Sequence, residues 1–100
     1  MLVIRGVLQE ELERQQRMLK AYLAKLEALP KGNIVPKKVN GRNYSYLQFR
    51  SGRRVVSQYI PESELPIIKA KIEERKRYQK TVRDIQKEIK FIQKALKIKV

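Results

Sequence analysis

Apolar residues near the start of the chain recur at alternating steps of four and three: Leu8, Leu12, Leu19, Tyr22, Leu26 and Leu29, with only Gln15 interrupting. That spacing predicts an amphipathic helix whose seam lies against another helix. Pro30, Gly32 and Asn33 end it. A second helical pattern opens after Pro61. Leu65, Ile68 and Ile72 lead, after one irregular step, into Tyr78, Val82, Ile85, Ile89, Ile92 and Leu96. Ser63 is the expected cap, and Pro66 is tolerated in a first turn.

Between the helices the period changes. Ile34 to Val39 reads as a strand and is followed by Asn40-Gly41, the strongest short hairpin signal a sequence offers. Arg42 to Arg50 is the second strand, Ser51-Gly52 a less clean turn, and Arg53 to Ile60 the third strand. The predicted class is α+β. Two long antiparallel amphipathic helices, forming a helical hairpin or coiled coil, flank a three-stranded antiparallel β-meander. Residues 1–100 are expected to form a single domain, with helices over about 4–29 and 63–97 and the sheet over about 34–60.

An odd number of strands makes the chain leave the sheet at the end opposite its entry. The second helix is longer by about ten residues, or about 15 Å, close to the length of a five-residue strand. The excess lets Leu65, Ile68 and Ile72 run back across one sheet face, and from Tyr78 onward the helix lies along the first. A two-helix stalk has a narrow core. Either a homodimer closes the seam or the seam opens onto a larger partner.

With two-residue turns, Leu47 is placed opposite Ile34 and Val56, on one face with Phe49 and Ile60. The other face then gathers Val35, Lys37, Val39, Arg42, Tyr44, Tyr46, Gln48, Arg50, Arg53, Val55, Ser57 and Tyr59. In this register Arg50 stands opposite Arg53, a like-charge pair that a phosphate would relieve. Lys38 and Arg54 point the other way. A bulged second turn would exchange the faces of the third strand, and tyrosines packed under the helix are the alternative to tyrosines in solvent.

Charge gives this face its meaning. The chain carries 24 Lys and Arg against 10 Asp and Glu, a net charge of +14. Between Lys31 and Pro61 there are seven basic residues, four of the chain's seven aromatics and no acid. A block this one-sided calls for an anionic partner. Cations suit phosphate oxygens, tyrosines suit stacking or sugar contact, and Gln48 suits a base edge. The candidate nucleic-acid-binding residues are Lys37, Arg42, Tyr44, Tyr46, Gln48, Arg50, Arg53, Arg54 and Tyr59, extended onto the second helix by Lys69, Arg75 and Lys76.

Cysteine and histidine are absent. With them go disulfides, thiolate metal sites and the usual general base. No phosphate loop, nucleophile elbow or zinc spacing occurs. Neither an enzyme nor a cofactor or metal is expected. The opening MLVIRGVLQE is too short and too soon charged for a signal peptide, and no apolar run approaches a membrane span. The helices lack an aromatic-rich insertion face, so a membrane partner is not expected either. The expected location is the cytoplasm.

The stretch LPKGNIVPKKVNGRNYSYLQFRSGRRVVSQYI, Leu29 to Ile60, resembles a pattern found in small bacterial and phage mobile-element proteins. These have a helix, a Lys-Gly entry, a Tyr-rich YxYLQxR strand and a closing charged helix. The sheet is also similar in outline to the three-stranded domains that open some phage and transposon integrases. There the sheet enters the major groove, but a single helix follows and no long helix precedes. One reading is a module whose Tyr and Arg sheet contacts DNA or structured RNA, serving a phage or mobile element as a recombination, replication or regulatory accessory. The alternative is a protein-interaction factor, an inhibitor or accessory subunit of a larger nucleic-acid enzyme such as a CRISPR effector.

Overall fold

A computed structural model describes residues 2–98, with the backbone alone described at Leu2. The order is α1 (Leu2–Glu27), β1 (Asn33–Val39), β2 (Arg42–Ser51), β3 (Arg54–Ile60) and α2 (Leu65–Lys97). The strands form one antiparallel sheet in the order β1-β2-β3. The chain divides into two compact units: the described parts of Met1–Ala28 with Arg77–Val100, and Leu29–Lys76. Helix α2 contributes residues to both.

In the helical unit, Leu12, Ile85, Ile89 and Ile92 form a buried cluster joined by the partly buried Leu8, Leu19, Tyr22 and Leu96. These are the residues that the three-and-four spacing selects. Tyr22 and Tyr78 meet with ring centroids 5.5 Å apart, and Lys25 lies over both rings at 5.0 and 5.5 Å. Gln15, the polar interruption in the seam, donates through Nε2 to Glu11 Oε1 at 2.9 Å. Arg14 holds the same carboxylate through two N–H donors at 2.7 and 3.0 Å. Hydrogen bonding from Arg14, then from Gln15, holds the Glu11 carboxyl below the usual range. Helix α1 ends at Glu27, short of Leu29, because Pro30 disfavours helical backbone in the residue before it.

The sheet unit has its own core. Leu47, Ile60 and Ile72 are buried, with Ile34, Phe49, Leu65 and Ile68 packed against them. The start of α2 therefore covers one sheet face, and the tyrosines lie on the other. Helix α2 begins one residue later than a Ser63 cap predicts. Pro61 O accepts from the N–H of Glu64 and Leu65, and Glu64 O accepts the first helical bond from Ile68 N–H at 3.0 Å. Pro66 then sits in the first turn, where its missing N–H costs nothing.

Both hairpin turns are two residues long, but the second is centred differently from expectation. Asn40 (φ 52°) and Gly41 (φ 79°) are both left-handed, the signature of a type I′ turn. The second turn is Gly52-Arg53, with Ser51 opposite Arg54 and only Gly52 (φ 63°) left-handed. Placing glycine first satisfies the single positive φ of a type II′ turn, whereas a Ser51-Gly52 centre would force that conformation on serine. The correction shifts the β2–β3 register by two residues. Leu47 faces Gln58, Phe49 faces Val56 and Arg50 faces Val55, so Arg50 does not oppose Arg53. A shift of two preserves side-chain parity, so the face assignments along the paired strands survive, while Arg53 moves from the third strand into the turn.

Gly32 joins α1 to the sheet with φ 108°. A Cβ there would stand 2.2 Å from Gln48 O and 2.9 Å from Phe49 Cβ. The chain can cross this close to β2 only as glycine.

Candidate nucleic-acid interface

The register arranges the open face in cross-strand rows. Val39 stands beside Arg42, and Lys37 beside Tyr44. Val35, Tyr46 and Tyr59 span all three strands, as do Asn33, Gln48 and Ser57. Arg50 and Val55 close the far end. Seven of the expected residues, Lys37, Arg42, Tyr44, Tyr46, Gln48, Arg50 and Tyr59, thus share one face.

The three tyrosines form a continuous array. Tyr59 has its ring centroid 6.0 Å from that of Tyr44 and 5.9 Å from that of Tyr46, inclined at 68° and 65°. Such steep contacts hold aromatic rings in fixed relative orientation. Tyr44 and Tyr46 are half-buried, whereas Tyr59 is 53% exposed. Lys37 places its ammonium 4.9 Å from the Tyr46 ring centre and donates to Ser57 Oγ at 3.3 Å. Its charge is thereby held over the middle of the sheet. Ser57 lacks both charge and ring, so composition does not mark it; only parity puts it on this face.

The remaining expected residues are dispersed. Arg53 is in the turn, and Arg54, opposite Ser51, belongs by alternation to the helix-covered face of the sheet. Arg75 is half-buried and donates to Leu29 O at 3.0 Å, tying α2 to the segment that enters β1. Lys76 forms an exposed ion pair with Glu73 at 3.7 Å. Lys69 and Lys76 border a shallow recess beside Asn33 and Ile34 on the β1 edge. A second recess, of about 400 Å³, opens beside Tyr44 and Tyr59 and is also lined by Arg42 and Glu62.

Among the described residues no group of three or more His, Cys, Asp or Glu is placed to hold a metal ion, and no helix is long and apolar enough to cross a membrane. Residues 8–70 match the family model described as "Domain of unknown function (DUF6788)". The chain belongs to this family. The matched stretch takes in the whole sheet and the start of α2. No curated protein and no solved structure matches the chain.

Proposed function

We propose that the chain is a non-enzymatic, cytoplasmic accessory protein that binds nucleic acid through the tyrosine face of its sheet. One observation carries this reading. Lys37, Arg42 and Arg50 share an exposed face with three contacting tyrosines, and none of the residues aligned on that face is acidic. Phosphate oxygens are the anions that such cations meet alongside rings capable of stacking. Service to a phage or other mobile element is consistent with this role. Lys69 and Lys76 border the β1 edge, away from the tyrosine face, with Lys76 paired to Glu73, and Arg75 acts within the fold. The cluster shared by α1 and α2 supports reading the two helices as an antiparallel coiled-coil hairpin.

A protein partner is the second reading. The exposed Val3, Val7 and Phe91 on the helices favour it, whether that partner is a larger nucleic-acid enzyme or a second copy.

An electrophoretic shift across a salt series separates the two. Nucleic-acid binding predicts affinity that falls with salt, by a log–log slope of about 0.9 per neutralised phosphate on duplex DNA and about 0.7 on single strands. Absence of binding to DNA or RNA at low salt overturns the first reading in favour of the second.

A further inference from the structure

The geometry points to unpaired nucleotides as the ligand of this face: a single strand laid along β2, with a base on Tyr59 and in the recess beside it. The inference rests on the nucleic-acid reading and narrows it.

Three observations carry it. The first is the order of groups along β2. Arg42, Tyr44, Tyr46, Gln48 and Arg50 occupy alternate positions, so they recur on one face every ~6.8 Å and the two arginines stand roughly 27 Å apart. Lys37 adds its charge over Tyr46. Cations and rings therefore follow one line, as phosphates and bases do along a single strand. A duplex instead presents two phosphate rails flanking a groove about 12 Å wide, less than half the separation of Arg42 and Arg50.

The second observation is what occupies the middle of the face. The central row is Val35, Tyr46 and Tyr59. The terminal rows place exposed valines, Val39 and Val55, beside Arg42 and Arg50. These groups offer apolar area and ring faces. Bases inside a duplex turn their faces to one another and expose only edges, so they leave the ring faces unused. An unpaired base can stack on them.

The third is the recess beside Tyr44 and Tyr59. It opens at the end of the sheet, edged by Arg42, Tyr44 and Tyr59 from the tyrosine face and closed by Asn43, Ser45, Ile60 and Leu65 from the other side. Glu62 also lines it. A carboxylate there repels phosphate and accepts hydrogen bonds from exocyclic amines, so the recess suits a base and not the backbone. Tyr59 is the ring best placed to stack, since Tyr44 and Tyr46 hold it in orientation and it is the most exposed of the three.

The test uses the full chain and fluorescence anisotropy at fixed low salt. The probes are a labelled mixed-sequence single strand, as DNA and as RNA, and the duplex made by annealing the DNA strand to its complement. The expected result is at least ~10-fold tighter binding of the single strand in one or both chemistries. Tyr59→Leu keeps apolar bulk and should weaken single-strand binding by about 5- to 150-fold, the range set by loss of one stacked base. Tyr59→Phe should restore it, while duplex affinity stays unchanged in both variants. The chain has five tyrosines and no tryptophan, so quenching of its intrinsic tyrosine emission by the single strand is a second readout. Duplex bound as tightly as single strand, or single-strand affinity unaffected by Tyr59→Leu with circular dichroism unchanged, overturns the inference and leaves the broader reading standing. No binding to any probe overturns both.

Discussion

Arg50 stands directly across from Val55 in the β2–β3 ladder, as Arg42 stands across from Val39 at the other end of β2. Neither arginine has a like-charged cross-strand neighbour, so the sheet tolerates both without a ligand. Their charges remain available to an anion that spans the face. Replacing both with alanine is expected to lower the log–log salt slope by about 1.4 to 1.8, depending on whether the ligand is single-stranded or duplex. Arg54→Ala, on the opposite face, should leave the slope at its wild-type value. A salt titration of wild type and the two variants checks this, and a slope lowered by Arg54→Ala as much as by half the double replacement would refute the face assignment.

Gly32 and Gly6 predict opposite outcomes for the same substitution. At Gly32 a methyl group meets Gln48 O at 2.2 Å with φ at 108°, so backbone strain and overpacking combine. Gly32→Ala should cost roughly 2–4 kcal/mol. Gly6 lies within α1 with nothing within 4 Å of its added Cβ, and Gly6→Ala should stabilise by about 0.5–1 kcal/mol. Urea unfolding of the two variants gives both signs.

Ile92 and Phe91 are adjacent on α2 and differ in burial. Ile92 is 2% exposed within the helical cluster, and its truncation to alanine should cost about 2–5 kcal/mol. Phe91 is 67% exposed, so Phe91→Ala should stay within about 0.5 kcal/mol. Chemical denaturation with matched slopes is the measurement. A large loss at Phe91 alone would point to a second chain covering that ring.

Glu11 ties α1's surface charge to acid stability. Its carboxyl is held low in the folded chain by Arg14 and then Gln15. A depressed folded pKa means that its contribution is present above the unfolded carboxylate pKa and is lost as pH falls through the folded value. The pair lies at the surface, where solvent screens it, so the effect on stability is small. Carboxyl NMR titration should show the Glu11 midpoint below the ordinary glutamate range, and Arg14→Ala should move it upward.

Much of this molecule is legible before folding because its patterns are local. The seam residues Leu12, Ile85, Ile89 and Ile92 follow from helical period, and Asn40-Gly41 follows from the dihedral demands of its turn. Membership of a sheet face is equally local, since alternation along a strand assigns it without knowledge of the partner strand. Lys37, Tyr44, Tyr46 and Tyr59 therefore come together as expected. Arg75 illustrates what composition hides. It reads as one more cation of a basic helix, yet its guanidinium is engaged by Leu29 O, 46 positions away.

Two things required the chain to close on itself. One is the β2–β3 register, where a single left-handed residue, Gly52, settles which arginine meets which neighbour. The other is the inequality of the tyrosines: sequence makes them equivalent, whereas contacts across three strands half-bury Tyr44 and Tyr46 and leave Tyr59 open. Period and turn chemistry act over a few residues, so the chain carries them in plain order. Exposure is a sum over contacts distant in sequence, and register, fixed here by one turn glycine, takes effect only when the strands meet.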